Sequence, residues 1–132
     1  MLAGCDTLDV TEATYSNMAD AMSRGGVSNG WIPAWLPASA AQLREIHNVD
    51  TNESALSFNF EQRDWRPPPG CKTIAAPEVM PSRYRQDWWP TENALSHSYA
   101  FFRCPSDVSP TSMFVGIHSS GGSAVHWRVS AR

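Results

Sequence analysis

Pro67, Pro68, Pro69, Pro77, Pro81 and Pro90 crowd a single stretch of this 132-residue chain and set the first limit on its fold. Proline lacks an amide donor and fixes its own φ, so neither a long helix nor a central strand can run through such a stretch. Residues 62–93 are therefore expected to be irregular. Pro67-Pro68-Pro69-Gly70 favours a polyproline turn, and a short helical turn over 82–88 is the most order expected there. An excursion of this length needs a fastener. Cys71 lies inside it and Cys104 follows it, and an oxidising compartment would join the two, restricting the unfolded chain by about 3 to 4 kcal/mol. Two unpaired thiols buried as small hydrophobes in a cytosolic protein is the reading against which the disulfide stands.

Regular structure must then come from the flanks. Asp9 and Glu12 have capping-box spacing, Tyr15, Met18 and Met22 recur at three and four residues, and Gly25-Gly26 follows, which predicts an amphipathic helix over 9–26. Between Gly30 and Pro37, two prolines leave an extended apolar strap carrying Trp31, Ile32, Trp35 and Leu36. Ser39 and Gln42 form a second capping box, and Ala40, Leu43 and Ile46 predict a second short helix ending near His47. Asp50-Thr51-Asn52 reads as a turn.

Leu56, Phe58 and Phe60 alternate with Ser57, Asn59 and Glu61, the period of a strand with one wet face. Three more strands are predicted over 98–103, 113–118 and 124–129, the last two joined by a hairpin at Ser119-Ser120-Gly121-Gly122. In the last strand Val125, Trp127 and Val129 form a core face, and His126 and Arg128 a solvated one. The expected fold class is α+β: a four-stranded, mainly antiparallel sheet with two N-terminal helices packed on one face. Residues 1–8 read as a tether and 9–132 as a single domain.

The net charge of −3, with acidic and basic residues mixed, offers no cationic stripe for phosphates, so a nucleic-acid partner is not expected. No apolar run approaches the ~20 residues of a membrane span. His47, His97, His118 and His126 do not fall at zinc-ligand spacing and read as exposed strand and loop residues, so neither a metal nor another cofactor is expected. There is no Gly-x-Ser-x-Gly elbow, and no two carboxylates are marked as a glycosidase pair. The expectation is a protein without catalytic residues. Tryptophans carry the remaining hint. Trp65, Trp88 and Trp89 sit in the irregular segment, where rings could contact a ligand or partner, Trp65 and Trp88 being the ones expected at the surface; Trp127 is expected in the core.

An address is written at the start. Leu2-Ala3-Gly4-Cys5 matches the cleavage box of bacterial lipoproteins, which would place a lipid on Cys5 and hold the chain to a membrane; a chance match is the alternative. Gly30 to Pro33, Leu36-Pro37-x-Ser39-Ala40, the run from His47 to Asn52, Trp88-Trp89-Pro90, Cys104 and Val125 to Arg128 together resemble a family of small, uncharacterised proteobacterial lipoproteins. The resemblance implies a place on the periplasmic face of a membrane, with a signal sequence upstream of Met1. It implies no activity. Asp6 after the cysteine resembles the inner-membrane retention signal of enterobacterial lipoproteins. The expected function is a non-catalytic envelope lipoprotein that binds an envelope protein partner. A small envelope hydrolase, a cell-wall carbohydrate binder, or an inhibitor or immunity-type protein stand as alternatives.

Overall fold

A computed structural model of the chain describes residues 9–106, 108 and 110–130. Seven strands form one antiparallel sheet: β1 (Val10–Asn17), β2 (Ala41–Asn48), β3 (Ser54–Asn59), β4 (Lys72–Ile74), β5 (Tyr99–Cys104), β6 (Thr111–His118) and β7 (Ser123–Ser130). Their spatial order is β1-β2-β3-β7-β6-β5-β4. The chain lays down β1, β2 and β3 side by side and then leaves for the far edge. It returns through β4, β5 and β6, and β7 closes against β3.

This corrects the expected four-stranded sheet with two N-terminal helices. Val10, Thr11, Thr14 and Tyr15 are β-branched or aromatic, and they form edge strand β1; only α1 (Met18–Ser23) is helical in that region. Its cap is Asn17, whose side chain accepts from the Asp20 amide at 2.9 Å, and not Asp9. The second expected helix is β2. Its Leu43, Glu45 and His47 alternate onto one face, and the apolar spacing of Ala40, Leu43 and Ile46 is shared between the two faces. A helix absent from the sequence reading, α2 (Glu92–Ser98), is capped by Thr91 and runs directly into β5. No helix forms over 82–88.

Both faces of the sheet are covered. Because paired residues share a face, one face carries His47, Ser54, Arg128 and Met113 in one row and Glu45, Leu56, His126 and Val115 in the next. Here it is called the strap face, since α1 and the Gly30–Pro37 segment lie on it with Ile32 and Leu36 buried against Leu43 and Phe58. Gly26 lets the strap approach, since a Cβ there would stand 3.0 Å from both Ile32 and Tyr15. The opposite, aromatic face carries Ile46, Ala55, Phe101, Phe114, Val125, Trp127 and Val129. His126 and Arg128, expected in solvent, are therefore buried under the strap side, and β7 is covered on both faces.

The proline-rich segment wraps around the β4 edge from one face to the other. Trp65 packs on the strap side, 5.6 Å from Phe60 and 6.5 Å from Phe102 between ring centres. The disulfide Cys71–Cys104 fastens the segment beside β5. Past β4, Met80 accepts a hydrogen bond from the Trp127 indole at 2.8 Å on the aromatic side. Arg83 then reaches the buried Glu53 carboxylate at 3.1 Å, tying the segment to the β2–β3 turn.

Candidate functional site

An apolar hollow lies on the aromatic face, between the returning segment and α2, with a volume of about 530 Å³. Trp127 forms its floor with Phe101, and Val79, Trp89 and Leu95 form its walls. The rings are held in a fixed nest. Trp89 and Phe101 meet Trp127 edge-on at 5.7 and 6.2 Å, and Phe114 stacks beneath it at 5.4 Å. Trp89 is 7% exposed and Trp127 2%, so the hollow is walled by core residues whose positions packing has already set. Charge is confined to the rim, where Arg85 donates to Glu92 at 2.9 Å. A preformed apolar volume with a polar rim is the usual form of a site that accepts a ligand or a partner's side chain.

The same tripeptide walls a second, smaller space. Pro90 lines both, but Trp88, edge-on to Trp89 at 6.1 Å, lines a polar pocket of about 210 Å³ at the end of β2, β3 and β7. Of the three tryptophans expected to contact a ligand, then, Trp88 and Trp89 border cavities. Trp65 does not join them. It is half-buried against Phe60 and Phe102 on the other side of the sheet, and its ring serves the packing of the proline segment. Trp88 is likewise half-buried rather than exposed. Cys71 and Cys104 form the expected disulfide, and Cys5 lies outside the described residues.

A buried polar cluster was not foreseen. Under the strap, His47 Nδ1 lies 2.7 Å from Glu45 Oε2, Trp31 stacks on the imidazole at 3.8 Å, and the Arg128 guanidinium sits over the Trp31 ring at 4.8 Å. Burial pushes the Glu45 carboxyl up to about 8, against the opposing charge of Arg128. Burial first and Arg128 second lower the His47 imidazole. At neutral pH the proton therefore stays on Glu45, and the carboxyl O–H donates to a neutral imidazole. Glu45 Oε1 has no hydrogen-bond partner among the described residues. Neither side chain lines the aromatic hollow, and the Trp31 ring seals the imidazole from above, so the pair acts as a buried hydrogen bond in the packing of the strap.

The four histidines divide accordingly. His47 and His126 are buried, the second with Nδ1 3.0 Å from the Phe114 carbonyl, which corrects their expected exposure. His97 and His118 are bound locally, to the Asn93 carbonyl and the Ser120 hydroxyl. Among the described residues no three His, Cys, Asp or Glu side chains are grouped to hold a metal ion, and no helix is long and apolar enough to cross a membrane. Only the sequence signal at Trp88-Trp89-Pro90 could have pointed to the cavities. Their remaining walls, Val79, Leu95 and Phe101, are ordinary apolar residues brought together by the crossing of the segment.

Residues 9–59 match the family model of the YbbD head domain, a stretch that covers β1, α1, the strap, β2 and β3. This is a similarity to a small, uncharacterised family over the first three strands. Neither a curated protein nor a solved structure matches the chain.

Proposed function

We propose that the chain is a non-catalytic binding module of the bacterial cell envelope, held to the periplasmic face of a membrane by lipid on Cys5 and engaging a protein partner at the aromatic hollow. The observation that carries the binding role is the hollow itself: about 530 Å³, walled by Trp89, Trp127, Phe101, Leu95 and Val79, with Arg85 paired to Glu92 and with Asp87 at the rim. Its size suits one large apolar side chain or a short apolar segment of a partner. The Leu2-Ala3-Gly4-Cys5 box and the Cys71–Cys104 disulfide support the address, because both chemistries belong to an envelope compartment.

Two measurements on the full-length gene product in its host membranes test the reading. Intact mass should rise by a lipid-sized increment on Cys5, and two thiols should appear only after reduction. A photo-crosslinking side chain at Leu95 should give a discrete protein adduct that the same probe at Glu12, on the distant edge strand, does not. An unlipidated chain overturns the address. Equal labelling from both positions overturns the role of the hollow.

A further inference from the structure

The polar pocket behind Trp88 has the chemistry of a different ligand. It is built at an irregularity: the pairing of β2 with β3 shifts register between Ala41 and Arg44, and Gln42 takes a left-handed φ of 52° within the shift. A non-glycine residue rarely adopts that conformation, and bulges of this kind re-aim side chains at the margins of sheets. Here the bulge carries Gln42 to Asn59, whose Nδ2 donates to Gln42 Oε1 at 2.6 Å. That bond leaves Asn59 Oδ1 as an acceptor and Gln42 Nε2 as a donor, two adjacent amide groups of opposite kind.

Hydroxyl groups complete the lining. Ser57 and Ser123 lie on the neighbouring strands, and the Tyr99 phenol, raised by burial and lowered by the nearby Ser123 hydroxyl, joins them in the lining. Arg44 contributes the one charge and makes no ion pair among the described residues. Trp88 and Pro90 supply the apolar side.

We propose that this pocket binds one neutral sugar ring of a cell-wall or surface glycan, through the Gln42–Asn59 amide pair, the Ser57 and Ser123 hydroxyls and the Trp88 indole. The mixture decides the class. An anion would call for donors alone, whereas amide carbonyls and hydroxyl oxygens also accept, and a polyhydroxylated ring offers donors and acceptors in adjacent pairs. An apolar ligand would leave these groups unpaired, at a cost that the aromatic hollow nearby does not impose. At about 210 Å³ the pocket is smaller than a site for a drug-sized ligand and suits a single ring. The aliphatic hydrogens of such a ring pack on an indole.

The inference goes beyond the proposed protein contact and stands or falls separately from it. The test is a titration of the full chain, isotopically labelled for NMR, with glucose, galactose and N-acetylglucosamine at millimolar concentrations, and in parallel with inorganic phosphate. Saturable shifts from at least one sugar are expected at Gln42, Asn59, Ser57 and the Trp88 indole N–H. Asn59→Ala, at an exposed position, should weaken that sugar about tenfold, the loss of one or two hydrogen bonds. Ser57→Ala gives a second reading where the first variant disturbs the strand. Leu95→Gln, in the separate apolar hollow, should leave sugar binding unchanged. No saturable shift with any sugar, or shifts at Arg44 with phosphate alone, would overturn the proposal.

Discussion

The two faces of this sheet are buried by similar means and hold together by different ones. On the aromatic face, Trp127 is surrounded by Trp89, Phe101 and Phe114, and its single polar atom is satisfied by Met80. On the strap face the same strands bury Glu45, His47, His126 and Arg128 among Leu56, Phe58 and Leu43. Apolar burial is tolerant of pH; a buried acid is not. The difference teaches that alternation of apolar and polar residues in a strand can record two buried faces of unlike chemistry, rather than an inside and an outside.

The largest way to break this contrast is at Trp127. Trp127→Ala should cost on the order of 4 kcal/mol in urea unfolding, since it empties the centre of the ring nest. Trp31→Ala, which removes a half-buried ring stacked on His47, should cost about 1 to 2 kcal/mol. A reversal of that order would mean that the strap, and not the aromatic nest, anchors the sheet.

Second to Trp127 in size is the disulfide that fastens the proline-rich segment beside β5. Cys71→Ala and Cys104→Ala should each cost about 3 to 4 kcal/mol, and the double variant no more than either single one beyond small packing losses. Unequal single effects would show that one site matters through packing instead of the bridge.

Glu45→Gln sharpens the comparison through pH. In the unfolded chain this carboxyl titrates near its ordinary 4.5, and in the fold near 8, so the native state holds the extra proton between those values. Stability from this group is complete below the unfolded value and is lost as pH rises through about 8. His47 works in the other sense: its lowered imidazole favours the fold above the ordinary histidine range and loses that contribution as pH falls through its depressed value. In thermal melts, Glu45→Gln should flatten the fall between pH 4.5 and 8 and exceed the unaltered protein in stability at pH 9. An unchanged profile would remove the buried acid from the account of the strap face.

Much of the C-terminal half was readable because its strands are apolar on at least one face and are punctuated by turn residues. β5, β6 and β7, the hairpin at Gly121 with its φ of 80° and the disulfide follow from chemistry visible in the sequence, whereas the strap, expected to be extended, folds through successive turns closed by bonds such as Leu36 N–H to the Pro33 carbonyl. β1 and β2 were hidden for physical reasons. β1 is an edge strand with few buried side chains, so Tyr15, Met18 and Met22 gave a helical rhythm that runs across a strand–helix junction. In β2 the inward positions are Leu43, Glu45 and His47, and two polar residues on an inward face erase the period-two signal. The fourfold coincidence of Glu45, His47, Arg128 and Trp31 depends on pairings between strands far apart in sequence, which no local window contains. The cavities were half legible: Trp88-Trp89-Pro90 marked the place, and the pairing of the bulged Gln42 with Asn59 did not.

The join between β3 and β7 bears on how the molecule comes into being. Ser54 pairs with Arg128, so the strand that covers the flank of β3 is synthesised about 70 residues after it, as β7. Until it arrives, Leu56 and Phe58 sit on an open edge with free amides and carbonyls, the kind of surface that recruits other chains. A fragment ending at Asn59, where the resemblance to the YbbD head domain also stops, would carry that edge permanently. The chain must therefore be kept apart from its neighbours until β7 has emerged, and closure of the sheet against β3 is the event that makes it safe to crowd.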